Sequence, residues 1–313
     1  MDRSSVGQAG SSIALVILAV LVAGCSASGD EDSKQRPNFG NGGKPGSTGG
    51  SGSVSQPPLG GGNGPVLGEV PMPSEEKCAS VIELTLRDFE DTHPDFESYS
   101  GLNDIGCGIV AAELGPDTKP VFASVIGTQK RVTTGDFEHL TFDSCAEWNG
   151  WMPDKVITDQ ASFDQWYRDV EGVNQTFTVP VELTDAGGGN FVYDSNAFFP
   201  LDGMGFGNTP NQQHNFHFTT EAHVRFTYVA GQKFTFRGDD DLWIFVNGKL
   251  ALDLGGMHLP IAATIDFDAQ AAALGIVPGG AYQMDIFHAE RHTNQSNFRI
   301  ETNIRCFEPI VVK

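Results

Sequence analysis

The chain reads as an all-β protein, a β-sandwich or barrel of antiparallel strands carrying an inserted, α-containing loop region. Three observations predict this. Apolar residues recur with a period of two over short runs, and β-branched and aromatic side chains fill those runs. Gly, Asn and Pro punctuate them, while helical periodicity is sparse. An Asn247-Gly248 pair stands between two apolar runs, which is a strong short-range signal for a hairpin.

The first strand is expected at residues 81–86, where Val, Ile and Leu alternate with Glu and Thr. Others are expected at 176–183, 222–228, 233–236, 242–246, 250–254, 282–287 and 298–304. One helix is expected in "SFDQWYRDV", with Ser162 as N-cap and Gln165 completing a capping box. A second follows Asp268 in "DAQAAAL". The β domain is expected to span 74–313, with the insertion at about residues 100–172.

The stretch "FRGDDDLWIFVNGKLALDLGGMH", from Phe236, sets three consecutive aspartates against an apolar strand. A two-residue Asn-Gly turn pairs Val246 with Lys249, Ile244 with Ala251, Leu242 with Asp253 and Asp240 with Gly255. Asp239, Asp240 and Asp241 then lie at the open end of the hairpin, beside Asp253, Gly255, Gly256 and His258. The turn sits about 17 Å away, so Asn247 is a turn residue and not a ligand of this site. Clustered carboxylates repel unless some protonate or a cation binds. Calcium takes about six to eight oxygens, carboxylates and carbonyls among them. A cis peptide between two of the aspartates would turn both side chains toward one ion. An acidic loop that caps nearby backbone N–H groups is the alternative.

The N-terminal residues 1–24 read as a secretion signal: Arg3, then an apolar run at 13–22 too short to span a bilayer. Val22-Ala23-Gly24-Cys25 resembles a bacterial lipobox, which implies lipidation of Cys25 and a membrane partner through that lipid. The expected location is a bacterial cell envelope, lipid-anchored, at the outer membrane or cell surface, with Ser26 compatible with that sorting. Residues 25–73, rich in Gly, Ser and Pro, are expected to act as a tether. With 40 acidic against 19 basic residues the net charge is −21, which argues against nucleic acid and anionic lipid surfaces. Four further cysteines suggest two disulfides with three possible connectivities; Cys78–Cys306 with Cys107–Cys145 is favoured, the first joining the ends of the first and last strands if these are neighbours. No zinc spacing is present.

Longer motifs carry a resemblance. "LRDFEDTHPDFE" (86–97), "SFDQWYRDVEGVNQTF" (162–177), "FFPLDGMGFGN" (198–208), the run 214–258 and "YQMDIFHAERHTNQSNFRIET" (282–302) together resemble the fibro-slime domain family. That family falls within the protective-antigen fourteen-kilodalton-type β-sandwich superfamily, which includes flocculin adhesins. In the adhesins, two consecutive aspartates joined by a cis peptide hold calcium, and the calcium coordinates sugar hydroxyls. The resemblance implies that Asp239 and Asp240 bind the metal here, with Glu290 in place of the adhesins' Asn. It also implies ligand contacts from the loop "ERHTNQSN", through Arg291, His292, Asn294 and Asn297, with Asp241, Asp253 and His258 alongside. The function implied is calcium-dependent carbohydrate or polysaccharide binding, or adhesion. A structural role in an extracellular matrix through protein–protein contacts is the alternative.

No nucleophile elbow, phosphate loop or zinc motif is present, so an enzyme is not expected. Asp253 or Asp241 with Glu290 would be the pairs to consider for glycoside hydrolysis. Trp166 and Tyr167 are expected in the core, and Trp148 and Trp151 on the surface as candidates for stacking on sugar rings. His214 and His217 read as structural residues sharing one face of a strand. Arg237-Gly238-Asp239 and the two sequons at Asn174 and Asn294 read as chance matches.

Overall fold

A computed structural model describes residues 80–97, 104–125, 128–131, 141–142 and 155–310. The chain divides into Met1–Gly64 and Pro65–Lys313, and all described residues lie in the second unit. The expected signal segment, tether, Cys25, Cys78, Cys145, Trp148 and Trp151 lie outside the described residues.

The first strands are β1 (Val81–Phe89), β2 (Asp104–Cys107), β3 (Thr128–Arg131) and β4 (Thr141–Phe142). After a four-residue helix α1 (Gln160–Phe163) come β5 (Asn174–Glu182), β6 (Thr184–Gly187) and β7 (Asn190–Ser195). The central run is β8 (Phe218–Thr227), β9 (Lys233–Gly238), β10 (Asp241–Val246), β11 (Lys249–Leu254) and β12 (Ile261–Asp266). Helix α2 (Phe267–Leu274), β13 (Ala281–Glu290), β14 (Phe298–Thr302) and β15 (Glu308–Pro309) complete the order.

Two sheets form the sandwich. The first runs β11-β10-β13-β8-β1-β5, with β15 also on β8; the second runs β4-β12-β9-β14-β7-β6. All pairings within them are antiparallel except β4 on β12. The period-two pattern places Leu84, Leu86, Val224, Phe226, Ile244 and Ile286 from the first sheet against Phe234, Phe236, Ile265, Phe298 and Ile300 from the second. The opposite face of the second sheet carries polar residues, so its strands alternate cleanly. Strand β10 is buried at every position. Its Leu242, Ile244 and Val246 face the sandwich, while Trp243 and Phe245 enter a second cluster with Ile109, Val156, Phe163, Trp166 and Tyr167. Segments 104–125 and 155–167 thus roof the outer face of the first sheet. Leu250 N–H donates to Ala112 O and Leu114 N–H to Gly248 O, which also covers the edge strand β11.

The hairpin turns at Asn247 and Gly248, with φ of 54° and 75°, as a type I′ turn requires. Asn247 Nδ2 also donates to Leu274 O and Lys249 Nζ to Ala273 O, capping the C-terminus of α2. The expected register holds only at Val246–Lys249. A bulge between Ile244 and Phe245 shifts the rest, so Ile244 faces Leu252, Trp243 faces Asp253 and Leu242 faces Leu254. The shift keeps Leu252 and Leu254 in the core and sends Asp253 to Trp243.

Other expectations need correction. Helix α1 is capped by Asp159 with Ser162 at N3, not by Ser162 with Gln165, because Asp159 offers the acceptor one turn earlier. Strand β14 lies in the second sheet and is no neighbour of β1. His214 and His217 precede β8 and differ in exposure: His217 is buried, while His214 is 41 % exposed. Trp166 and Tyr167 are core residues, as expected. Strands β6, β7 and β12 were not expected from the sequence.

Beneath the roof, Glu221 meets Arg87 at 3.1 Å and Lys119 at 2.6 Å, and His223 meets Asp285 at 2.6 Å. Burial opposes ionisation of Glu221, but His223, Arg87 and Lys119 outweigh it and hold the carboxyl at about 2. Burial likewise opposes charge on His223, but Asp285 and Glu221 raise it above its ordinary value. A raised histidine contributes stability that is complete below its unfolded value of about 6.5 and is lost as pH rises through the folded value. The denaturant midpoint should therefore fall as pH is raised from 6 to 9, and His223→Gln should flatten that fall. An unchanged slope in the variant would count against this network. The Glu221 share is lost only as pH drops from about 4.3 toward 2.

Candidate functional site

The acidic turn joins β9 to β10 at one end of the sandwich, where the β13–β14 loop folds over it. Asp239 and Asp240 form a bend and both line the pocket, while Asp241 opens β10 and points the other way. Asp241 enters the roofed face. Its Oδ1 accepts from Gly256 N and its Oδ2 from Arg291 Nε at 2.5 Å, with both residues 0 % exposed. Arg291 Nη1 donates to Asp95 O and Val156 O, and its guanidinium lies 4.7 Å over the Trp166 ring. Trp166 Nε1 donates in turn to Asp95 Oδ2.

Asp240 Oδ2 accepts from Arg291 N at 2.9 Å. Asp239 accepts from Asn297 N through Oδ1 and from Asn297 Nδ2 through Oδ2. Fully buried His288 lies 2.9 Å from Asp239 O through Nε2. Behind them Glu290 ends β13. It is completely buried, and its carboxyl oxygens make no hydrogen bond of full geometry; the Ser296 side chain and the His292 backbone lie near enough to favour the charged form without outweighing burial. A pocket of about 70 Å³ opens here, lined by Asp239, Asp240, His258, His292, Thr293 and Asn294 among others.

Burial raises the carboxyl of Asp239 and pushes that of Asp240 well above the carboxylate range. For Asp240 the attraction of Arg291 is opposed by repulsion from Asp239 and Asp241. Burial, then repulsion from Asp240 and Asp239, holds Glu290 well above its ordinary value. Burial drops His288 to about 4, so it is a neutral imidazole donating its Nε2–H to Asp239 O. One buried guanidinium acts on Asp241, Asp240 and Asp95, while Asp239 and Glu290 add further carboxyls beside Asp240, so acidic groups are in excess. Such a site either takes up protons or takes up a cation.

The structure brings together Asp239, Asp240, Glu290, His258, His292, Asn294 and Asn297. It places Asp241 and Arg291 inward as a buried pair, so neither is open to a ligand. Asp253 is also withdrawn: it accepts from Trp243 Nε1, Gly108 N and Gly255 N, and burial lifts its carboxyl to about 6. The cis peptide is at Thr293–Asn294 and not between Asp239 and Asp240. Sequence reasoning missed His288, and it missed Glu97, which accepts from Thr293 N and lies within 3.6 Å of His292. The "DTHPDFE" motif held Glu97 in view, but no local pattern ties it to a loop almost two hundred positions away. No three His, Cys, Asp or Glu side chains among the described residues converge as a ready metal cage. The donor types still suit a hard cation: the carboxyl oxygens of Asp239, Asp240 and Glu290, with backbone carbonyls available in the loop.

Residues 202–306 match the PA14 domain, a span that runs from the loop before β8 through the acidic turn and Glu290 to Cys306. The chain is similar to three proteins of Dictyostelium discoideum. It is 36 % identical to protein psiD over 231 residues, covering 72 % of this chain and 41 % of psiD. It is 33 % identical to psiC, covering 74 % of this chain and 43 % of psiC, and 33 % identical to psiR, covering 74 % and 22 %. The chain therefore spans less than half the length of these relatives. They are proteins of a eukaryote, which overturns the expected location in a bacterial cell envelope. The lipid anchor on Cys25 rested on the same bacterial reading. No helix among the described residues is long and apolar enough to cross a membrane.

Replacing Arg291 by Met should remove the charge while keeping much of the volume, leaving Asp241 buried and uncompensated. A loss of about 3–5 kcal/mol is expected on breaking such a pair. Urea unfolding of Arg291→Met checks this, and the double variant Arg291→Met/Asp241→Leu should recover a large part of the loss.

Proposed function

We propose that this chain is a calcium-dependent carbohydrate-binding module of the fibro-slime type. PA14 domains are often carbohydrate-binding or adhesion modules, and the match includes every residue of the acidic turn. The observation that carries the reading is the buried cluster of raised carboxyls: Asp239 and Asp240 line the small pocket, and Glu290, completely buried and without a hydrogen bond of full geometry, is held up by burial and by repulsion from both. Burying such carboxyls in their charged form is costly, and a cation offsets the cost. Asp239, Asp240 and Glu290 would hold calcium, with oxygens of the 291–297 loop. Bound calcium supplies a charge that can accept sugar hydroxyls at its open side. The protein's own part is to hold the loop: Asn297 fixes Asp239, and Arg291 fixes Asp240.

Binding fits better than turnover. Asp241 and Glu290 are fully buried, and Asp253 already accepts from three donors, so the carboxylate pairs considered for hydrolysis do not face a substrate. The disulfides Cys78–Cys306 and Cys107–Cys145 belong to the same reading of an exported domain. For the first pair, support comes from β15, which joins β8 on the flank that β1 also takes, bringing the chain after Cys306 beside the start of β1. Peptide mapping without reductant should recover both linked pairs; Cys78 linked to Cys107 would exclude this arrangement.

Thermal unfolding with calcium and with chelator tests the central point. At about one hundred times Kd, calcium should add about 2.7 kcal/mol. The raised carboxyls must lose protons to bind it, so the gain should grow as pH rises from 5 to 7.5. In the cation-free protein these acids work the other way, each removing stability as pH climbs from its unfolded value toward its raised folded one. Asp240→Asn should abolish the calcium gain. No shift at millimolar calcium would remove the metal from the account.

A further inference from the structure

Beside the calcium pocket lies a larger cleft of about 850 Å³ on the outer face of the second sheet. The two share Leu259, Asn294 and Gln295 as walls. Its floor is a row of side chains set by strand register: Arg237 on β9 faces Arg299 on β14, which faces Asp194 on β7. Like charges directly opposite each other are destabilising. Arg299 is neutralised, since it pairs with Asp194 and with Glu301. The Arg237 side chain has no hydrogen bond or ion pair among the described residues, while its backbone is held between β12 and β14. The other arginines that are buried or half-buried all hold a carboxylate: Arg87 with Asp169 and Glu221, Arg168 with Asp117, Arg291 with Asp241, and Arg299. A half-buried guanidinium that meets no acid among the described residues is open to an anionic partner from outside.

The rest of the cleft fits a sugar. Phe199 and His214 stack face to face, 3.9 Å apart and 5° from parallel, and Asp202 holds the imidazole at 2.6 Å. Such a flat, fixed pair presents an apolar surface for the C–H face of a pyranose ring. Asn294 and Gln295 are exposed, with side-chain amides that make no hydrogen bond among the described residues. They can serve hydroxyl groups as donors and acceptors.

We propose that the cleft is a subsite for an acidic sugar residue whose anionic substituent, a carboxylate, pairs with Arg237. Arg suits this role because its planar fork meets a carboxylate through two parallel N–H···O bonds. The neighbouring sugar would lie at the calcium pocket, so the inference rests on the binding function proposed above and names the class of glycan. A sulfate ester would offer the same anionic oxygens, and the experiment separates the two.

The test is calorimetric titration of the full chain in calcium with three oligosaccharides of equal length: neutral, uronate-containing and sulfated. The uronate form should bind about tenfold or more tightly than the neutral one, as expected for one charge-assisted contact. In Arg237→Gln that ratio should fall to about one, and Arg237→Lys should restore part of it. Because the Arg237 side chain makes no pair among the described residues, neither variant should lower the melting temperature. Preference for the sulfated form alone would overturn the carboxylate assignment. Equal binding of neutral and uronate glycans, with calcium still required, would overturn the subsite and leave the calcium-dependent function standing. Binding of none of the three would overturn both.

Discussion

The arrangement depends on one buried charge. Arg291 is fully enclosed, and it touches β10 through Asp241, the roofing segments through Asp95 O and Val156 O, and the core through the Trp166 ring. Enclosing a guanidinium without partners would be prohibitive, so each of these neighbours is held in place as much as it holds. The residue also begins the β13–β14 loop, and its own N–H reaches Asp240. One side chain therefore couples the packing of the roof to the shape of the acidic turn. Removing it would loosen the site without touching any proposed metal ligand.

Much of the fold was legible because a half-buried strand writes its burial into the sequence. Phe234, Phe236, Phe298 and Ile300 alternate with Thr235, Arg237, Arg299 and Glu301, and the sandwich follows. The Asn-Gly turn was equally readable, since few other residues accept positive φ at both turn positions. Strand β10 was readable as a strand but not as one buried on both faces, because the roof over Trp243 comes from Ile109 to Tyr167, far earlier in the chain. The bulge at Ile244 was not legible either: a single extra residue leaves no trace in a short apolar run, yet it moves Asp253 away from the acidic turn. Strand β6, which leads into a run of three glycines, lacked the apolar density that marks a strand, and β7 offered only the short run Phe191-Val192-Tyr193 without alternation.

At the site, the acidic turn itself was conspicuous. The division of labour within it was not, because it is decided by long-range partners. Asp241 meets an arginine 50 positions away and becomes structural, while Asp239 and Asp240 stay with the pocket. The same logic separates Arg291 from Arg237. The first lies in the loop that resembles a ligand-binding segment yet is sealed inside. The second, read as part of a chance tripeptide, lines the larger cleft with its side chain unpaired among the described residues. Burial and pairing distinguish them, and neither is visible in local spacing.

A crystal structure of the protein grown in calcium tests the central claim most directly. The account predicts a cation in the pocket between Asp239, Asp240 and the β13–β14 loop, with oxygens at about 2.3–2.6 Å and Glu290 drawn toward it. A pocket that stays free of metal in saturating calcium, with Glu290 and Asp240 sharing a proton instead, would contradict it.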